Sequence, residues 1–130
     1  MSRPKAKSIK VRSKFEQKLK DQLDEMEVEY GYETKLFKYT TEHKYRPDFV
    51  FPSLRLLIEA KGYFDSNDRS KSLHVRDCIR DAGWELAFVF QRASNKLHTR
   101  SPTTYADWCD RHGFRWAEGK VPTEWLTPST

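Results

Sequence analysis

The sequence predicts an α/β protein in which a mixed central sheet is flanked by helices. Residues 56–58 form a continuous apolar run, which is typical of a central strand covered on both faces. A helix-like segment then separates this strand from a second apolar strand, which is the order of a β-α-β crossover. A chain of 130 residues with 37% apolar and 33% charged residues predicts one globular domain.

The first predicted element is an amphipathic helix over residues 14–27 that opens near Ser13. Its apolar stripe recurs at spacings of four, four and three residues and consists of Phe15, Leu19, Leu23 and Met26. Residues 30–39 are rich in Tyr, Phe and Thr with a loose alternation, so they predict a strand. Residues 40–44, TTEHK, predict a polar connector.

The next two predicted strands, residues 45–51 and 54–61, are expected to pair as a hairpin. Pro52 and Ser53 supply the turn between them. Pro47 has no N–H to donate to a ladder, so the first of the two strands should be an edge or be interrupted there.

The second half of the chain predicts two more helices and a strand. Residues 65–82 lack Gly and Pro and are followed by Gly83, which predicts a helix and its C-terminal residue. Residues 84–90 predict the strand that completes the crossover, so the sheet should be mixed.

The third helix is expected to be capped by Ser101, with Pro102 at its first position, and to end at Gly113. In the tail after it, Trp116 and Trp125 should pack against the body. We expect the folded domain to span residues 13–126, with residues 127–130 frayed.

The net charge of +5 is concentrated near the N-terminus, where residues 1–12 predict a flexible basic arm. The basic residues that precede the first acidic residue are Arg3, Lys5, Lys7, Lys10, Arg12 and Lys14. Such an arm is either a solvated terminus or a tail that binds phosphates, and its composition leaves both interpretations open.

Several classes of protein and site are disfavoured. No apolar run approaches the roughly 18 residues of a membrane span, and the N-terminus lacks the apolar stretch of a secretory signal. Cys78 and Cys109 have no CxxC spacing, which predicts reduced thiols. Cys109 and His112 have no second pair, so a zinc site is not expected. These patterns predict a soluble, cytoplasmic protein.

The predicted hairpin carries three charged residues that a core would not accept without partners: Asp48, Glu59 and Lys61. Glu59 and Lys61 lie two residues apart, so their side chains leave the same face of the strand while Ala60 points the other way. Asp48 would reach the same end if the pairing brings it alongside.

Such a group favours a divalent metal. The two carboxylates and the backbone carbonyl of Ala60 are the hard oxygen ligands that Mg²⁺ or Mn²⁺ prefers. The ion would polarise a phosphoryl oxygen and lower the pKa of water. Lys61 would either hold the attacking water or neutralise charge that builds on the phosphate. An exposed hairpin with a surface salt bridge is the alternative.

The order Pro47-Asp48, ten residues, Glu59-Ala60-Lys61 resembles the PD-(D/E)xK nuclease motif. Further segments in one order, YRPDF, IEAKG, DSNDRSKSL, SPTTYADWCDRHG and VPTEWL, resemble the phage endonuclease I family of Holliday-junction resolvases over residues 13–126. The resemblance implies a PD-(D/E)xK nuclease core with Glu16, Asp48, Glu59 and Lys61 as catalytic residues. Glu16 enters only in this way, because a helix residue beside Phe15 would otherwise be interpreted as solvated.

The resemblance also implies cofactor and partners. Mg²⁺, with Mn²⁺ as a substitute, would be held by Glu16, Asp48, Glu59 and the Ala60 carbonyl, and no small-molecule cofactor is expected. The partners would be branched DNA and a second copy of the chain, in an intertwined homodimer that exchanges elements through residues 40–44. If the chain is encoded by a bacteriophage, its place is the cytoplasm of the infected cell.

Basic residues outside the arm are candidates for phosphate contacts, although each could be an ordinary surface charge. They lie before the hairpin acid, at the start of the second helix and in the loop after the last core strand: Arg46, Arg69, Lys71, His74, Arg92, Lys96 and Arg100. Free N–H groups at the helix start could add to them.

The sequence therefore predicts a Mg²⁺-dependent endonuclease that resolves four-way junctions by paired nicks. Two alternatives stay open: a nuclease with the same motif that acts on plain duplex, and a basic DNA-binding module whose acids are only structural. Divalent-dependent cleavage separates the enzymes from the module, and a junction compared with linear duplex separates the two enzymes.

Overall fold

The computed structural model describes residues 13–38 and 44–127. In chain order the helices are α1 (Lys14–Glu25), α2 (Ser66–Arg80) and α3 (Tyr105–His112). The strands are β1 (Gly31–Tyr32), β2 (Phe37–Lys38), β3 (Lys44–Tyr45), β4 (Phe49–Phe51), β5 (Leu56–Lys61), β6 (Glu85–Phe90) and β7 (Trp116–Glu118). Five strands form one sheet in the order β1-β4-β5-β6-β7, and β2 pairs with β3 separately. The prediction of an α/β fold with a mixed sheet is confirmed.

The centre of the sheet is β5, as its apolar run predicts. It pairs antiparallel with β4 and parallel with β6. Leu56, Leu57 and Ile58 are all buried, so both faces of the strand are covered. The helix between the parallel strands is α2, which confirms the β-α-β crossover.

Two apolar cores lie on opposite faces of this sheet. On one face, Leu19 and Leu23 of α1 pack with Phe49 and Ile58. On the other face, α2 and α3 cover Leu57 and the aromatic side chains of β6. Both cores receive side chains from β4 and β5, because successive residues of a strand point to opposite faces of the sheet.

The start of α1 agrees with the prediction. The Ser13 hydroxyl accepts a hydrogen bond from the Glu16 N–H at 3.0 Å, which caps the helix. The helix ends at Glu25, two residues earlier than predicted, and Glu27 then takes a left-handed conformation with φ of 55°.

The second helix is set by a capping box. Asp65 accepts from the Asp68 N–H, and the Asp68 carboxylate accepts from the Asp65 N–H in return. Gly83 follows the helix in a left-handed conformation with φ of 80°, which is the role predicted for it.

The predicted strand over residues 30–39 is wrong as one element. Gly31 and Tyr32 pair with β4, whereas Phe37 and Lys38 pair with β3. Glu33 lies between them with φ of 52°, and its N–H donates to the Asp48 carbonyl, so the chain leaves the sheet there. Residues 39–43 lie outside the described residues, so Lys44 is the one described residue of the predicted connector at 40–44, and it belongs to β3.

The predicted hairpin is correct in pairing but its first strand is shorter. Residues 46–48 are not strand, which confirms the interruption expected at Pro47, and Tyr45 belongs to the ribbon with β2. A 3-10 helix, Pro52–Leu54, makes the turn, and Arg55 follows in a left-handed conformation.

The predicted cap of the third helix is wrong. Thr104 is the N-cap and forms a capping box with Asp107. The Ser101 hydroxyl instead accepts from the Thr103 N–H at 3.1 Å. The end at Gly113 is confirmed, with φ of 78°.

The tail and the cysteines agree with their predictions as far as the structure describes them. Trp116 and Trp125 are partly buried against the two cores. Cys78 and Cys109 form no disulfide, and burial raises the pKa of Cys109 to about 12. Among the described residues, none of the helices is long and apolar enough to cross a membrane.

Candidate active site

The candidate site lies where β4 stops short of the end of β5. The last β4–β5 pair is Phe49 with Ile58, so Glu59, Ala60 and Lys61 pair with β6 on one side only. On the other side, Oδ2 of Asp48 accepts the Ala60 N–H at 2.9 Å, in place of a backbone carbonyl. The missing strand segment thus leaves room for a carboxylate within the sheet.

Glu59 and Lys61 leave the same face of β5, as their spacing predicts. Oε2 of Glu59 accepts a hydrogen bond from the Tyr45 hydroxyl at 2.7 Å. Nζ of Lys61 lies 3.4 Å from Oδ1 of Asp68, at the start of α2. Ala60 packs against the core on the opposite face, as expected.

Glu16 reaches the site from the other face of the sheet. It is only 4% exposed, so the interpretation of this residue as a solvated helix position is wrong. The Tyr32 hydroxyl donates to Oε1 of Glu16 at 2.9 Å. A carboxylate oxygen of Glu16 lies within 4.8 Å of one from Asp48, which brings together two residues that the sequence separates widely.

Glu33 is a fourth carboxylate that the sequence analysis missed. One of its oxygens lies within 4.8 Å of those offered by Glu16 and Asp48. Its spacing to the other acids carries no motif, and its position follows from the left-handed backbone that ends β1. The Glu33 N–H donates a hydrogen bond to the Asp48 carbonyl at 3.2 Å, which holds Glu33 at this position.

The environment of Asp48 opposes its negative charge. Burial is the largest cause, followed by the charge of Glu59 and a hydrogen bond with it, and these raise the pKa of Asp48 to about 7. Hydrogen bonds with Glu16 and with the Ala60 N–H act in the opposite direction. Asp48 is 2% exposed and Glu59 8%, so water provides little relief.

These acids fit a divalent cation. Glu16, Glu33 and Asp48 offer three oxygens close enough to share one ion, and carboxylate oxygens are the ligands that Mg²⁺ and Mn²⁺ prefer. A bound cation would also offset the mutual repulsion of buried carboxylates. Glu59 was expected among the metal ligands, but it contacts Asp48 from the side of Tyr45. The three acids whose oxygens lie within 4.8 Å of one another include Glu33 instead of Glu59.

Exposed polar and aromatic groups surround the site. Because β5 and β6 are parallel, their carboxyl ends meet, and the Gln91 N–H donates to the Lys61 carbonyl at 2.9 Å. The loop with Arg92 therefore starts beside Lys61. Tyr63 follows two residues later and is 74% exposed. Arg46 is exposed immediately before Pro47.

The other basic candidates have varied surroundings. Arg69 donates to the Phe64 carbonyl at 2.8 Å, and Nζ of Lys71 lies 5.5 Å from the centre of the Tyr45 ring. Exposed side chains are also found at Lys14, His74, Arg92, Lys96 and Arg100. The arm candidates Arg3, Lys5, Lys7, Lys10 and Arg12 lie outside the described residues.

Comparison with known proteins identifies the family of the chain. The family model described as phage endonuclease I matches residues 1–130. Endonuclease I of Escherichia phage T7 is 33% identical over 118 residues, which cover 88% of this chain and 77% of the relative. Endodeoxyribonuclease 1 of Enterobacteria phage T3 is 35% identical over 114 residues, or 85% of this chain and 73% of the relative. The chain therefore belongs to the phage endonuclease I family.

Proposed function

We propose that the chain is a divalent-metal-dependent DNA endonuclease that cuts four-way and other branched junctions as a homodimer. The observation that carries the proposal is the convergence of Glu16, Asp48 and Glu59 from both faces of the sheet, with Lys61 two residues beyond Glu59 on the same face of β5. Buried acids without a cation or substrate would only weaken the fold. The names of the relatives, an endonuclease and an endodeoxyribonuclease, support DNA as the substrate.

The reaction is hydrolysis of a phosphodiester. The oxygen of a water molecule bonds to phosphorus, one ester P–O bond breaks, and the leaving oxygen takes a proton. Glu16, Glu33 and Asp48, with Glu59 beside them, would hold a divalent cation, which would supply Lewis-acid stabilisation of the charge on the phosphoryl oxygens. Mg²⁺ is the physiological candidate, and Mn²⁺ should substitute for it.

The residues of the site have separate tasks. Asp48 is anchored by the Ala60 N–H, which fixes the position of one carboxylate oxygen. In an extended strand the N–H and the carbonyl of one residue point to the same side, so the Ala60 carbonyl is directed to the Asp48 side like its N–H and would be a further ligand. Lys61, oriented by Asp68, stabilises negative charge on the phosphate or holds the attacking water.

Recognition rests on branch shape and phosphate positions rather than on bases. Arg46 precedes the Pro47-Asp48 pair and Arg92 lies in the loop that starts beside Lys61, so both exposed side chains are candidates for phosphate contacts, and the basic arm adds charge from residues 1–12. Tyr63 offers an exposed ring beside Lys61 for stacking on a base that the branch leaves unpaired.

Two sites related by a two-fold axis match the symmetry of a four-way junction. Glu16 precedes residues 39–43 in the sequence and Asp48 follows them, and the carboxylates of the two residues lie close together in the structure. In a dimer whose connector passes from one copy to the other, the same contacts would form around Asp48. The difference is that Glu16 would come from the second copy. The proposed enzyme is the exchanged dimer, with Glu16 from one chain and Asp48, Glu59 and Lys61 from the other.

The decisive assay compares a labelled synthetic four-way junction with a linear duplex of the same sequence, each with Mg²⁺ or with EDTA. We expect Mg²⁺-dependent cleavage of the junction and little cleavage of the duplex. Equal cleavage of both would replace the proposal by a duplex nuclease. Binding without cleavage under any divalent condition would leave a DNA-binding module.

A mixed dimer tests the exchange. One chain carries Glu16→Ala and the other Asp48→Asn, with different tags for purification of the doubly tagged species. With exchange, one site receives both defects and the other receives none, so a cruciform in a supercoiled plasmid is nicked once. Without exchange, both sites carry a defect and the plasmid stays supercoiled. Each mutant homodimer serves as the inactive control.

A further inference from the structure

Two buried tyrosines hold the two outer carboxylates of the site, one on each face of the sheet. The Tyr45 hydroxyl donates to Glu59 at 2.7 Å, and the Tyr32 hydroxyl donates to Glu16 at 2.9 Å. Both rings are buried, with exposures of 3% for Tyr45 and 8% for Tyr32. Asp48 lies between the two carboxylates that these hydroxyls contact.

We infer that Tyr45 and Tyr32 are positioning residues that aim Glu59 and Glu16 for metal binding. This inference rests on the proposed metal-dependent function. Each carboxylate has two oxygens, and a hydroxyl bond to one of them fixes the rotation of the group and turns the other oxygen to the centre. Partners of metal ligands commonly act in this way, and their loss lowers metal affinity.

The packing around the two rings makes them suitable as rigid supports. Tyr45 belongs to the apolar core under α2, and the Lys71 ammonium group lies over its ring. Tyr32 belongs to the core under α1, with its ring centre 5.5 Å from that of Phe49. Neither hydroxyl can move far without moving a packed ring, so the bonded oxygens of the carboxylates are held at fixed positions.

The chain contains a matched control. The Tyr30 hydroxyl donates to Oδ1 of Asp24 at 2.9 Å, which is a bond of the same kind and length. Tyr30 also packs against Phe49, its ring centre 5.6 Å away. Asp24 takes no part in the acid cluster. Removal of the Tyr30 hydroxyl should therefore affect stability alone.

The experiment is calorimetric titration of Mn²⁺ into metal-free protein without DNA, for the unchanged chain, Tyr45→Phe, Tyr32→Phe and Tyr30→Phe. These changes keep each ring and remove one oxygen. We expect Tyr45→Phe and Tyr32→Phe to weaken Mn²⁺ binding by about 10-fold to 100-fold, and Tyr30→Phe to leave it unchanged. In junction cleavage, the Mn²⁺ concentration for half-maximal rate should rise while KM for the junction stays constant.

A double-mutant cycle separates positioning from a general effect on the fold. If Tyr45 acts through Glu59, then Tyr45→Phe should cost little further Mn²⁺ affinity in a Glu59→Gln background. Thermal denaturation identifies any variant that does not fold, and the cycle is then repeated with Tyr32→Phe and Glu16→Gln. Unchanged Mn²⁺ affinity in both folded tyrosine variants would overturn the inference.

The failure of this inference is distinguishable from failure of the proposed function. Asp48→Asn removes a carboxylate from the centre of the cluster and should lose Mn²⁺ binding whatever the tyrosines do. If Asp48→Asn binds Mn²⁺ as tightly as the unchanged chain, the metal site itself is wrong. If Asp48→Asn loses binding and the two tyrosine variants keep it, only the positioning role is wrong.

Discussion

The two halves of β5 differ in every respect that matters for the candidate activity. Leu56, Leu57 and Ile58 pair with β4 on one side and β6 on the other, and they are buried in apolar surroundings. Glu59, Ala60 and Lys61 keep only the β6 partner, and carboxylates replace β4 at their side. One strand therefore supplies the centre of the core with its first half and the candidate catalytic residues Glu59 and Lys61 with its second.

The difference follows from where β4 begins. Pro47 cannot donate to a ladder, and the strand starts at Phe49, so the backbone N–H of Ala60 needs another acceptor. Asp48 provides it and is held in the sheet. A rigid, fully paired segment thus continues directly into charged groups, which fixes their positions without a flexible loop.

The largest expected effect is on cleavage. It comes from the charged half of β5, Glu59–Lys61, and from Asp48 beside it. We expect Asp48→Asn, Glu59→Gln or Lys61→Ala to lower the rate of junction cleavage by about 1000-fold or more, since each removes a ligand or a stabilising charge. Junction binding measured with EDTA should persist, and it should tighten for the two acid changes because negative charge near DNA is lost.

Glu25→Gln is the matched control for this experiment, because Glu25 is an exposed acid at the end of α1. It should cleave at the unchanged rate. Full cleavage by any one of the three site variants would remove that residue from the site.

The apolar half should respond in the opposite way. Leu57→Ala leaves a cavity under α2 and should lower the free energy of unfolding by about 2–5 kcal/mol. Well below its melting temperature, the variant should still cleave the junction within a few-fold of the unchanged rate. Urea denaturation and junction cleavage at 20–25 °C check the two quantities; a large loss of cleavage in folded protein would show that the halves are coupled.

Asp48 should also make stability depend on pH. Its pKa is raised from 3.8 to about 7 in the folded protein, so the folded state retains a proton that the unfolded state has lost in this interval. The free energy of unfolding of metal-free protein should therefore fall as pH rises from about 4 to about 7, by an amount on the order of a few kcal/mol. Metal binding should release a proton and weaken below pH 7.

Asp48→Asn isolates this contribution from the other titrating groups. Its unfolding free energy should lack the Asp48 part of the decrease, so in EDTA at pH 8 the variant should melt at a higher temperature than the unchanged chain. A less stable variant at pH 8 would contradict the raised pKa. Higher stability in an inactive variant is the pattern expected of a site that sacrifices stability for function.

The parts of the fold that the sequence predicted correctly are those set by periodic apolar patterns. The stripe of α1, the run Leu56-Leu57-Ile58 and the crossover all reflect burial, which the residue types themselves determine. Asp48, Glu59 and Lys61 were identified because charges in such segments are rare. Their contacts in the structure agree with the spacing argument, and their catalytic roles stay predictions.

The failures occurred where a local pattern competed with another or with a contact distant in sequence. Ser101 and Pro102 are a good helix start, but Thr104 forms a reciprocal capping box with Asp107. In addition, the Thr103 carbonyl accepts from the Leu97 N–H and the Tyr105 N–H donates to the Asn95 carbonyl, which pairs this segment with the chain near Lys96. Glu33 ends β1 because its N–H meets the Asp48 carbonyl, a partner that no local pattern reveals. Glu16 was likewise identified only through the family resemblance.

The basic groups outside β5 should produce the next effect, through binding rather than chemistry. With about six phosphate contacts, the log of the junction binding constant should fall with the log of salt concentration with a slope of about −5. Deletion of residues 2–12 should lower affinity and flatten that slope while the domain stays folded. A slope near zero in the full chain would refute the electrostatic contribution. If the deletion changes neither affinity nor slope, the arm is a solvated terminus that does not bind phosphates.

The smallest expected effect is that of Arg46→Ala, and its comparison with Tyr63→Ala distinguishes a phosphate contact from a stacking contact at the edge of the charged half of β5. Arg46→Ala should weaken junction binding a few-fold and reduce the salt slope by about 1, because one counterion fewer is released. Tyr63→Ala should weaken binding by about 1–3 kcal/mol if its ring stacks on an unpaired base, with no change in slope, since no charge is lost. Tyr63→Phe keeps the ring and should bind as the unchanged chain does. The measurement is a fluorescence titration of a labelled junction with Ca²⁺ in place of Mg²⁺ at four salt concentrations, beside a linear duplex that offers no unpaired base. If Tyr63→Ala weakens binding to both DNAs equally, the ring contacts backbone or sugar, and recognition at this edge rests on phosphate positions alone.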